Sequence, residues 1–426
     1  MKRFALKGQI CYSAGLHDIR VMEHGYLLCE EGLSKGVVPK LPEEWIQAEV
    51  RDYGDCLIIP GLVDLHLHAP QYSFRGMKMD LELLKWLDTQ TFPEEAKYAD
   101  LEYADRAYTI FADNMRRGAT TRACIFATIH LPATELLMDK MEAAGLNVMV
   151  GKVNMDRNSP DILREKDAER SAADTVKWLS ETAGRYRHVR PILTPRFIPS
   201  CTDELMERLG EIQRQYRLPV QSHLSENPGE IDWVSGLCPE SDSYGDAYDR
   251  FGMFGGDGCP TVMAHCVYSG EAEQQRLKDR GVWIAHCPQS NMNLSSGIAP
   301  IRQFLDKGIR VGLGSDVAGG SVESIFRAMT DAIQVSKMYW RLKDDSLKPL
   351  TMEEAFFLAT KGGGSFFGKV GSFEPGYELD ALVLDDSALK HPQPLSVKER
   401  LERISYLSDE RQIAAKYVAG TEINLE

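Results

Sequence analysis

Two histidines separated by one residue, His66 and His68, end the apolar run LIIPGLVDLHLH, which begins at Leu57. In a β-strand, residues i and i+2 point to the same face, so two imidazoles at this spacing can bind one ion. The pair is weak evidence alone, because a single histidine on a strand is more often a core residue than a ligand. Its meaning depends on the polar residues that end the other apolar runs.

Polar side chains also end three later apolar runs of the chain. His223 ends the fifth run and is followed by Glu226, His265 ends the sixth run, and Asp316 ends the eighth. In a barrel of parallel strands, catalytic residues lie at the carboxyl ends of the strands, so these side chains are expected at one mouth. Four of the ten histidines of the chain belong to this set. The agreement of six positions predicts a metal site more strongly than any one of them.

The remaining histidines are predicted to have other roles. His286 ends the seventh run, in WIAHCP, and we expect it to pack against the site or to support it. Surface or structural roles are expected for the other five, which are His17, His24, His130, His188 and His391.

The types of these side chains predict a hydrolytic reaction. Three imidazoles and one carboxylate suit Zn²⁺, with Fe²⁺ as the alternative, rather than Mg²⁺ or Ca²⁺, which prefer oxygen. Such a cation lowers the pKa of a bound water to about 7, so hydroxide becomes available at neutral pH. Asp316 can bind the ion and take the proton of the water. Glu226 is placed to donate a proton to the substrate, and His265 to orient the hydroxide or polarise the group under attack.

Alternating apolar runs and helical patterns must position these residues. The apolar runs predict eight strands near 57–66, 119–127, 146–154, 189–196, 219–225, 260–267, 281–288 and 310–316. Helices are predicted over 100–117, 131–144, 168–186, 202–217, 228–236, 243–254, 270–280, 298–308, 321–339 and 351–362. The last of these begins with the capping box Thr351-x-x-Glu354. Strands that alternate with helices in this way predict an α/β protein with a (β/α)8 TIM barrel.

The two ends of the chain lack the alternation of strand and helix patterns that the middle shows. Residues 1–56 carry short β-like runs, and after about residue 365 the segment GSFEPGYELDALVLDD again places turn residues around short β runs. We therefore predict a catalytic barrel over 57–365. The two ends, 1–56 and 366–426, are predicted to join in one small β-sandwich domain.

Composition limits the partners of the protein. The chain has 426 residues, and its 49 basic and 63 acidic residues give a net charge of −14, which disfavours nucleic acid. No apolar stretch approaches the roughly 18 residues of a membrane span, and the N-terminus lacks the pattern of a signal peptide. Nine cysteines occur singly, which predicts reduced thiols. We expect a soluble cytoplasmic protein with a small-molecule substrate.

Several motifs resemble those of the amidohydrolase superfamily in its mononuclear deaminase branch. They are PGLVDLHLH, SHLSE, AHCVYS and GLGSD, and the fourth strand ends in TPRF, where binuclear members have a carboxylated lysine. Longer stretches resemble the guanine deaminases of this branch. These stretches are HAPQYSFRG at 68–76, DLELLKWLDTQTFPEE at 80–95, FATIH at 126–130, TPRFIPSC at 194–201, SHLSEN at 222–227, CPQSNMNLSSG at 287–297, GLGSDVAGG at 312–320 and GSFEPGYELDALVLD near the end.

The resemblance implies a role for each matched position. It implies that metal is bound by His66, His68, His223 and Asp316. It implies Glu226 as the proton shuttle, His265 beside the hydrolytic water, and purine contacts from Gln71, Arg196 and Phe197. The implied reaction is hydrolysis of guanine to xanthine and ammonia by a metal-bound hydroxide, in a homodimer with one Zn²⁺ per subunit. The side chains agree with a purine, because an amide matches a donor–acceptor edge, a guanidinium matches a carbonyl and a phenyl ring can stack.

Two other functions are weighed against this one. A deaminase or chlorohydrolase of an s-triazine, a pterin or an adenosine-like ring would use the same metal ligands. The HAPQ and TPRF segments favour guanine, although Arg75 and the segment Met77-Lys78-Met79 depart from the typical pattern and leave the range of substrates open. A scaffold without catalysis would have broken ligands, whereas all four ligands and the acid are intact here.

Overall fold

The computed structural model describes residues 3–425 of the chain. Its strands are β1 (Arg3–Gly15), β2 (Asp18–Glu30), β3 (Leu33–Val38), β4 (Glu49–Pro60), β5 (Leu62–His68), β6 (Thr120–Phe126), β7 (Asn147–Gly151), β8 (Val153–Asn154), β9 (Val189–Pro191), β10 (Thr194–Pro195), β11 (Val220–Leu224), β12 (Thr261–His265), β13 (Trp283–His286), β14 (Arg310–Leu313), β15 (Ala381–Leu384), β16 (Ile413–Val418) and β17 (Thr421–Glu422). Each of the eight predicted apolar runs overlaps at least one of these strands.

Helices alternate with the central strands. They are α1 (Leu83–Trp86), α2 (Phe92–Glu95), α3 (Leu101–Arg117), α4 (Leu131–Ala144), α5 (Ala168–Thr182), α6 (Asp203–Tyr216), α7 (Pro228–Leu237), α8 (Tyr244–Asp249), α9 (Glu271–Arg280), α10 (Pro288–Asn293), α11 (Ile301–Asp306), α12 (Ile325–Leu342), α13 (Met352–Phe357) and α14 (Val397–Leu407). Two irregular pieces matter for the site: a 3₁₀ turn at Ala69–Phe74 follows β5, and a π-helical turn at Leu87–Thr91 joins α1 to α2. Within residues 3–425, no helix is both long and apolar enough to cross a membrane.

The central strands form a TIM-barrel-type fold. Two parallel sheets have the orders β5-β6-β7-β9 and β11-β12-β13-β14. Backbone hydrogen bonds connect them at both junctions. At one junction the Leu193 carbonyl accepts from Gln221 N over 3.0 Å, and at the other the His66 carbonyl accepts from Asp316 N over 2.8 Å. The carboxyl end of β5 and the loop after β14 are therefore in direct contact.

The predicted first strand, 57–66, is wrong at both ends. Residues 57–60 finish β4, which pairs with β15, and the strand that carries the histidines begins at Leu62 and ends at His68. Gly61 separates the two strands, and a Cβ there would lie 2.2 Å from Thr121 Oγ1. Buried apolar residues continue on both sides of the break, so the run predicts one strand, although Pro60-Gly61 is a pair typical of turns and marks the break.

Both ends of the chain contribute to one seven-stranded sheet. Its order is β17-β16-β15-β4-β1-β2-β3, with β1 and β4 parallel. One face of this sheet has its own apolar cluster, which includes Phe4, Phe373 and Tyr417. The C-terminal part also forms helix α14, which the β-only prediction for 366–426 missed. A capping box of Ser396 and Glu399 starts this helix.

Candidate active site

Four side chains converge where β5, β11 and β14 end. His66 and His68 are on β5, His223 is on β11, and Asp316 follows β14. Asp316 Oδ1 lies 3.1 Å from His66 Nε2 and 3.4 Å from His68 Nε2, and His223 Nε2 lies 3.2 Å from His68 Nε2. Side chains along β5 point alternately to opposite faces of the strand. Both histidines reach this point because one residue, Leu67, separates them. The ligand atoms of the three histidines lie within 4.8 Å of one another.

The chemistry of these donors fits a metal ion. Burial lowers the pKa of His66, His68 and His223, so each imidazole is neutral and offers a lone pair. The Arg196 carbonyl accepts a hydrogen bond from His223 Nδ1 over 2.6 Å, which leaves His223 Nε2 as the free lone pair. His66 Nε2 is buried 3.1 Å from Asp316 Oδ1 but makes no hydrogen bond of normal geometry among residues 3–425. Burial opposes ionisation of Asp316, but His66 and His265 hold its pKa well below the usual range.

Several backbone positions around this cluster are strained. Four residues other than glycine have positive φ at the strand ends: Ser225 at 48°, His265 at 73°, Cys266 at 52° and Asp316 at 46°. Such conformations are costly for residues with a Cβ and are found mostly where function requires an exact side-chain direction. The strained positions include two of the predicted catalytic residues.

Glu226 and His265 lie on the pocket side of the cluster. His265 Nε2 is 3.5 Å from Glu226 Oε2 and 3.7 Å from Asp316 Oδ2. Burial raises the pKa of Glu226 to about 7, and Asp316 and Glu230 act in the same direction. Burial alone would lower the pKa of His265, but the charges of Glu226 and Asp316 raise it. The arrangement therefore combines a carboxyl group that can hold a proton at neutral pH with an imidazole beside it.

Two further polar residues fix these groups. Ser296 Oγ donates to Glu226 Oε1 over 2.9 Å, and Asn291 Oδ1 accepts from His265 Nδ1 over 2.9 Å. Both lie in the CPQSNMNLSSG stretch, which the sequence marked as part of the site without assigning these residues a role.

Asp64 is a site residue that the sequence prediction missed. It is inaccessible to solvent, its Oδ1 accepts from His66 N (3.1 Å) and Ser315 N (3.0 Å), and its Oδ2 accepts from Ser315 Oγ (2.5 Å). Burial raises its pKa to about 7. Asp64 thus ties the strand that carries His66 to the loop that carries Asp316. Its signal was a single acidic residue inside an otherwise apolar strand, two residues before His66.

A pocket opens above the cluster, with about 490 Å³ of empty space when its opening to solvent is included. Its wall includes His68, Gln71, Arg196, Phe197, His223, Glu226, His265 and Asp316, together with Leu83, Leu84, Trp86, Leu87, Glu230 and Leu294. All predicted site residues except His66 line this pocket, and the His66 ring packs edge-on against the rings of His68 and His223, which do line it. His286 is fully buried outside it.

The three predicted substrate contacts lie on one side of the pocket. Gln71 is in the 3₁₀ turn after β5, and Arg196 and Phe197 follow β10. The Phe197 ring is 6.1 Å from the Trp233 ring in an edge-on arrangement. Glu95, which the prediction missed, accepts hydrogen bonds from both Gln71 and Arg196. Its only signal was its position in the stretch 80–95.

The segment that departs from the typical pattern lies outside the pocket wall. The Arg75 guanidinium stacks on the Tyr72 ring at 3.8 Å, and Met77 is 53% exposed. Neither side chain lines the pocket.

The fold and the cluster match a known class of enzymes. Residues 57–423 match the amidohydrolase family over most of the chain. The chain therefore belongs to the amidohydrolase family, as the motifs predicted.

Individual relatives narrow the class. The guanine deaminase of Dictyostelium discoideum is 40% identical over 385 residues, covering 88% of this chain and 84% of that protein. The guanine deaminase of Mus musculus is 38% identical over 422 residues, covering 96% and 92%. A crystal structure of guanine deaminase from C. acetobutylicum with bound guanine in the active site superposes with a TM-score of 0.96 at 44% identity, covering 99% of this chain and 100% of that one. Within the family, the chain belongs with the guanine deaminases, and the predicted resemblance is confirmed.

Proposed function

We propose that this protein hydrolyses guanine to xanthine and ammonia. The observation that carries the proposal is that the acid Glu226, three of the four proposed metal ligands and the purine-type contacts Gln71 and Arg196 line one pocket. Relatives named guanine deaminase over more than nine tenths of the chain support the same reaction.

We assign His66, His68, His223 and Asp316 as ligands of one Zn²⁺ per subunit, with Fe²⁺ as the alternative. Three neutral imidazoles and one carboxylate are a donor set that suits these ions. When bound, the cation supplies a water activated for attack at neutral pH.

Two carboxyl groups of the chain carry out the proton transfers, and one histidine orients the water. Glu226, whose raised pKa of about 7 keeps a proton available, protonates the ring nitrogen N3 and weakens the aromatic resistance to attack at C2. Asp316 accepts one proton of the attacking water and returns it to the departing amine. The proton left on the new C2 hydroxyl group passes to Glu226 as the carbonyl forms, which restores the acid. His265, whose Nε2 lies 3.5 Å from Glu226 Oε2 and 3.7 Å from Asp316 Oδ2, orients the attacking water.

Gln71, Arg196 and Phe197 hold the purine. Arg196 donates to the carbonyl, the Gln71 amide faces a donor–acceptor edge, and the Phe197 ring packs against the flat base. The near-complete burial of Gln71 and Arg196 strengthens these contacts because little water competes for them.

The domain organisation of the chain is also a proposal. We propose that the two parallel sheets close into one (β/α)8 barrel over 57–365, supported by the hydrogen bonds at both junctions. The segments 1–56 and 366–426 form the second domain. The sequence predicts a small β-sandwich there, whereas the described residues of these segments form one seven-stranded sheet, which also includes residues 57–60. A homodimer and a cytoplasmic location stay predictions.

One assay tests the reaction. Ammonia release is measured with guanine, adenine, cytosine, isocytosine, melamine-type triazines and pterins, and metal content is measured on the same sample. We expect turnover of guanine by protein that contains about one Zn²⁺ or Fe²⁺ per chain. Turnover of a triazine, a pterin or an adenosine-like ring without turnover of guanine would overturn the proposal.

A further inference from the structure

Glu95 is a buried carboxylate that contacts two of the proposed substrate-binding side chains at once. Gln71 Nε2 donates to Glu95 Oε1 over 2.9 Å, and Arg196 Nη1 donates to Glu95 Oε2 over 2.6 Å. The exposed fractions are 2% for Gln71, 2% for Glu95 and 3% for Arg196. Glu95 does not itself line the pocket, so it lies behind the two groups that do.

The carboxylate fixes which way the Gln71 amide faces. An ionised carboxylate only accepts hydrogen bonds, whereas an amide that turns over exchanges its donor and its acceptor at almost the same shape. Glu95 can pair only with the NH₂ end of Gln71, and Ala318 N donates to Gln71 Oε1 over 3.2 Å from the other side. One N–H group and one oxygen lone pair of Gln71 remain for a ligand.

The same carboxylate fixes the Arg196 guanidinium. The buried Glu95 carboxylate compensates the positive charge of Arg196, and the Phe92 ring lies 5.3 Å from the guanidinium carbon. A planar guanidinium that is held at one nitrogen and against one ring has little freedom to rotate. The N–H groups that Glu95 does not use are left for a ligand in the pocket.

We propose that Glu95 is a positioning residue that sets the specificity of this pocket for a flat ring with a carbonyl beside a ring N–H. It does so by holding Gln71 and Arg196 in one hydrogen-bonding pattern, with a donor for the carbonyl and an acceptor for the N–H. The inference rests on the proposed function, in which these two residues bind the purine.

The preceding residue provides a matched control. Glu94 is on the same short helix α2, is 8% exposed, and accepts from Ser73 Oγ over 2.6 Å and from Lys97 Nζ over 2.5 Å. It contacts neither Gln71 nor Arg196 in the structure. Loss of the Glu94 charge loosens α2 and the contact with Ser73 in the turn that carries Gln71, whereas loss of the Glu95 charge removes direct hydrogen bonds to Gln71 and Arg196.

The experiment measures competitive inhibition by hypoxanthine and by purine, which differ in the 6-carbonyl and the hydrogen on N1. Neither ring carries an amino group, so neither is consumed. We expect Glu95→Gln to reduce the preference for hypoxanthine over purine by about 10- to 100-fold, because one of the two acceptor oxygens that bond Gln71 and Arg196 becomes an NH₂ group, which can only donate. Glu94→Gln should change this preference by no more than about twofold. Metal content and the midpoint of thermal unfolding are measured for every variant.

Further variants separate the possible failures. If Arg196→Ala leaves the preference unchanged, the proposed substrate contact is wrong. If Arg196→Ala removes it while Glu95→Gln leaves it unchanged, the positioning role alone is overturned. In the Arg196→Ala background, Glu95→Gln should add little, and fully additive losses would contradict action through Arg196. Should Glu95→Gln fail to fold, Glu95→Asp gives the same test, because it keeps the charge and withdraws it by one methylene.

Discussion

The two sides of the pocket are built in different ways. On the metal side, His66, His68 and His223 are part of strands β5 and β11, so backbone hydrogen bonds of the sheets fix their positions. On the purine side, Gln71 lies in a 3₁₀ turn and Glu95 in a four-residue helix, and hydrogen bonds between side chains connect them. Register within strands fixes the first side, whereas pairing between distant residues fixes the second.

This difference predicts how each side responds to substitution. A ligand on a strand cannot be replaced by a neighbour, because the neighbours along the strand point away. A side chain in a network has partners that can adjust, so its loss changes affinity and selectivity before it abolishes the reaction. The predictions below test this contrast.

The largest effect is expected at the metal side. His66→Ala removes a donor from a rigid set, so we expect loss of the metal and of detectable guanine turnover. His286→Ala is the matched control, because His286 is an equally buried histidine at the end of β13 that does not line the pocket. Metal content measured on folded protein checks both variants. Full metal occupancy in His66→Ala would remove this residue from the ligand set.

A large effect without metal loss is expected at the acid. Glu226→Gln keeps the shape of the side chain and its contact with Ser296, but it has no proton to donate. We expect kcat to fall about 10²- to 10⁴-fold while metal content stays unchanged. Ser296→Ala, which removes only the hydrogen bond to Glu226 Oε1, should cost much less. Near-normal turnover of Glu226→Gln would rule out its role as proton shuttle.

The pH dependence of the reaction should report the same carboxyl group. Burial raises the pKa of Glu226 to about 7, so the proton that it donates is present below this pH and absent above it. We therefore expect kcat/KM to decline above about pH 7 and to approach a tenfold loss per pH unit. Glu226→Gln should lack this decline, because an amide does not titrate. A wild-type profile that still rises at about pH 9 would contradict the assignment.

The same contrast explains how much the sequence could predict. The strand-end histidines and Asp316 were found because spacing and the ends of apolar runs are local features. Glu95 was missed because its partner Arg196 is 101 residues away, and nothing local distinguishes Glu95 from its neighbour Glu94. Asp64 had a local signal, as the one acidic residue of an apolar strand, but its role was missed because its partner Ser315 is 251 residues away.

Errors in the fold prediction have a related cause. The run 57–66 appeared to be one strand because residues of both β4 and β5 are buried there, and burial alone does not reveal a change of sheet. Helix α14 was missed within a segment whose turn residues favoured β structure, although its capping box was visible. Local patterns gave the elements of the barrel-type fold, but which sheet each strand joins depends on distant pairing.

The smallest effect is expected from a substitution that weakens the turn on the purine side but keeps the proposed substrate contacts. Tyr72 is next to Gln71 in the 3₁₀ turn, and its hydroxyl donates to Glu323 Oε1 over 2.6 Å and accepts from Asn114 Nδ2 over 2.8 Å. Tyr72→Phe removes both bonds and leaves Glu323 less well paired. We expect the free energy of unfolding to fall by about 0.5–1.5 kcal/mol.

The kinetic consequence of Tyr72→Phe should be confined to binding. KM for guanine should rise by no more than about threefold, with kcat and metal content unchanged, because the turn moves while the strand-borne ligands do not. Tyr108→Phe is the control, since Tyr108 is fully buried and its hydroxyl has no hydrogen-bond partner among residues 3–425. A loss of metal in Tyr72→Phe would show that the two sides of the pocket are coupled, and the contrast between them would then be wrong.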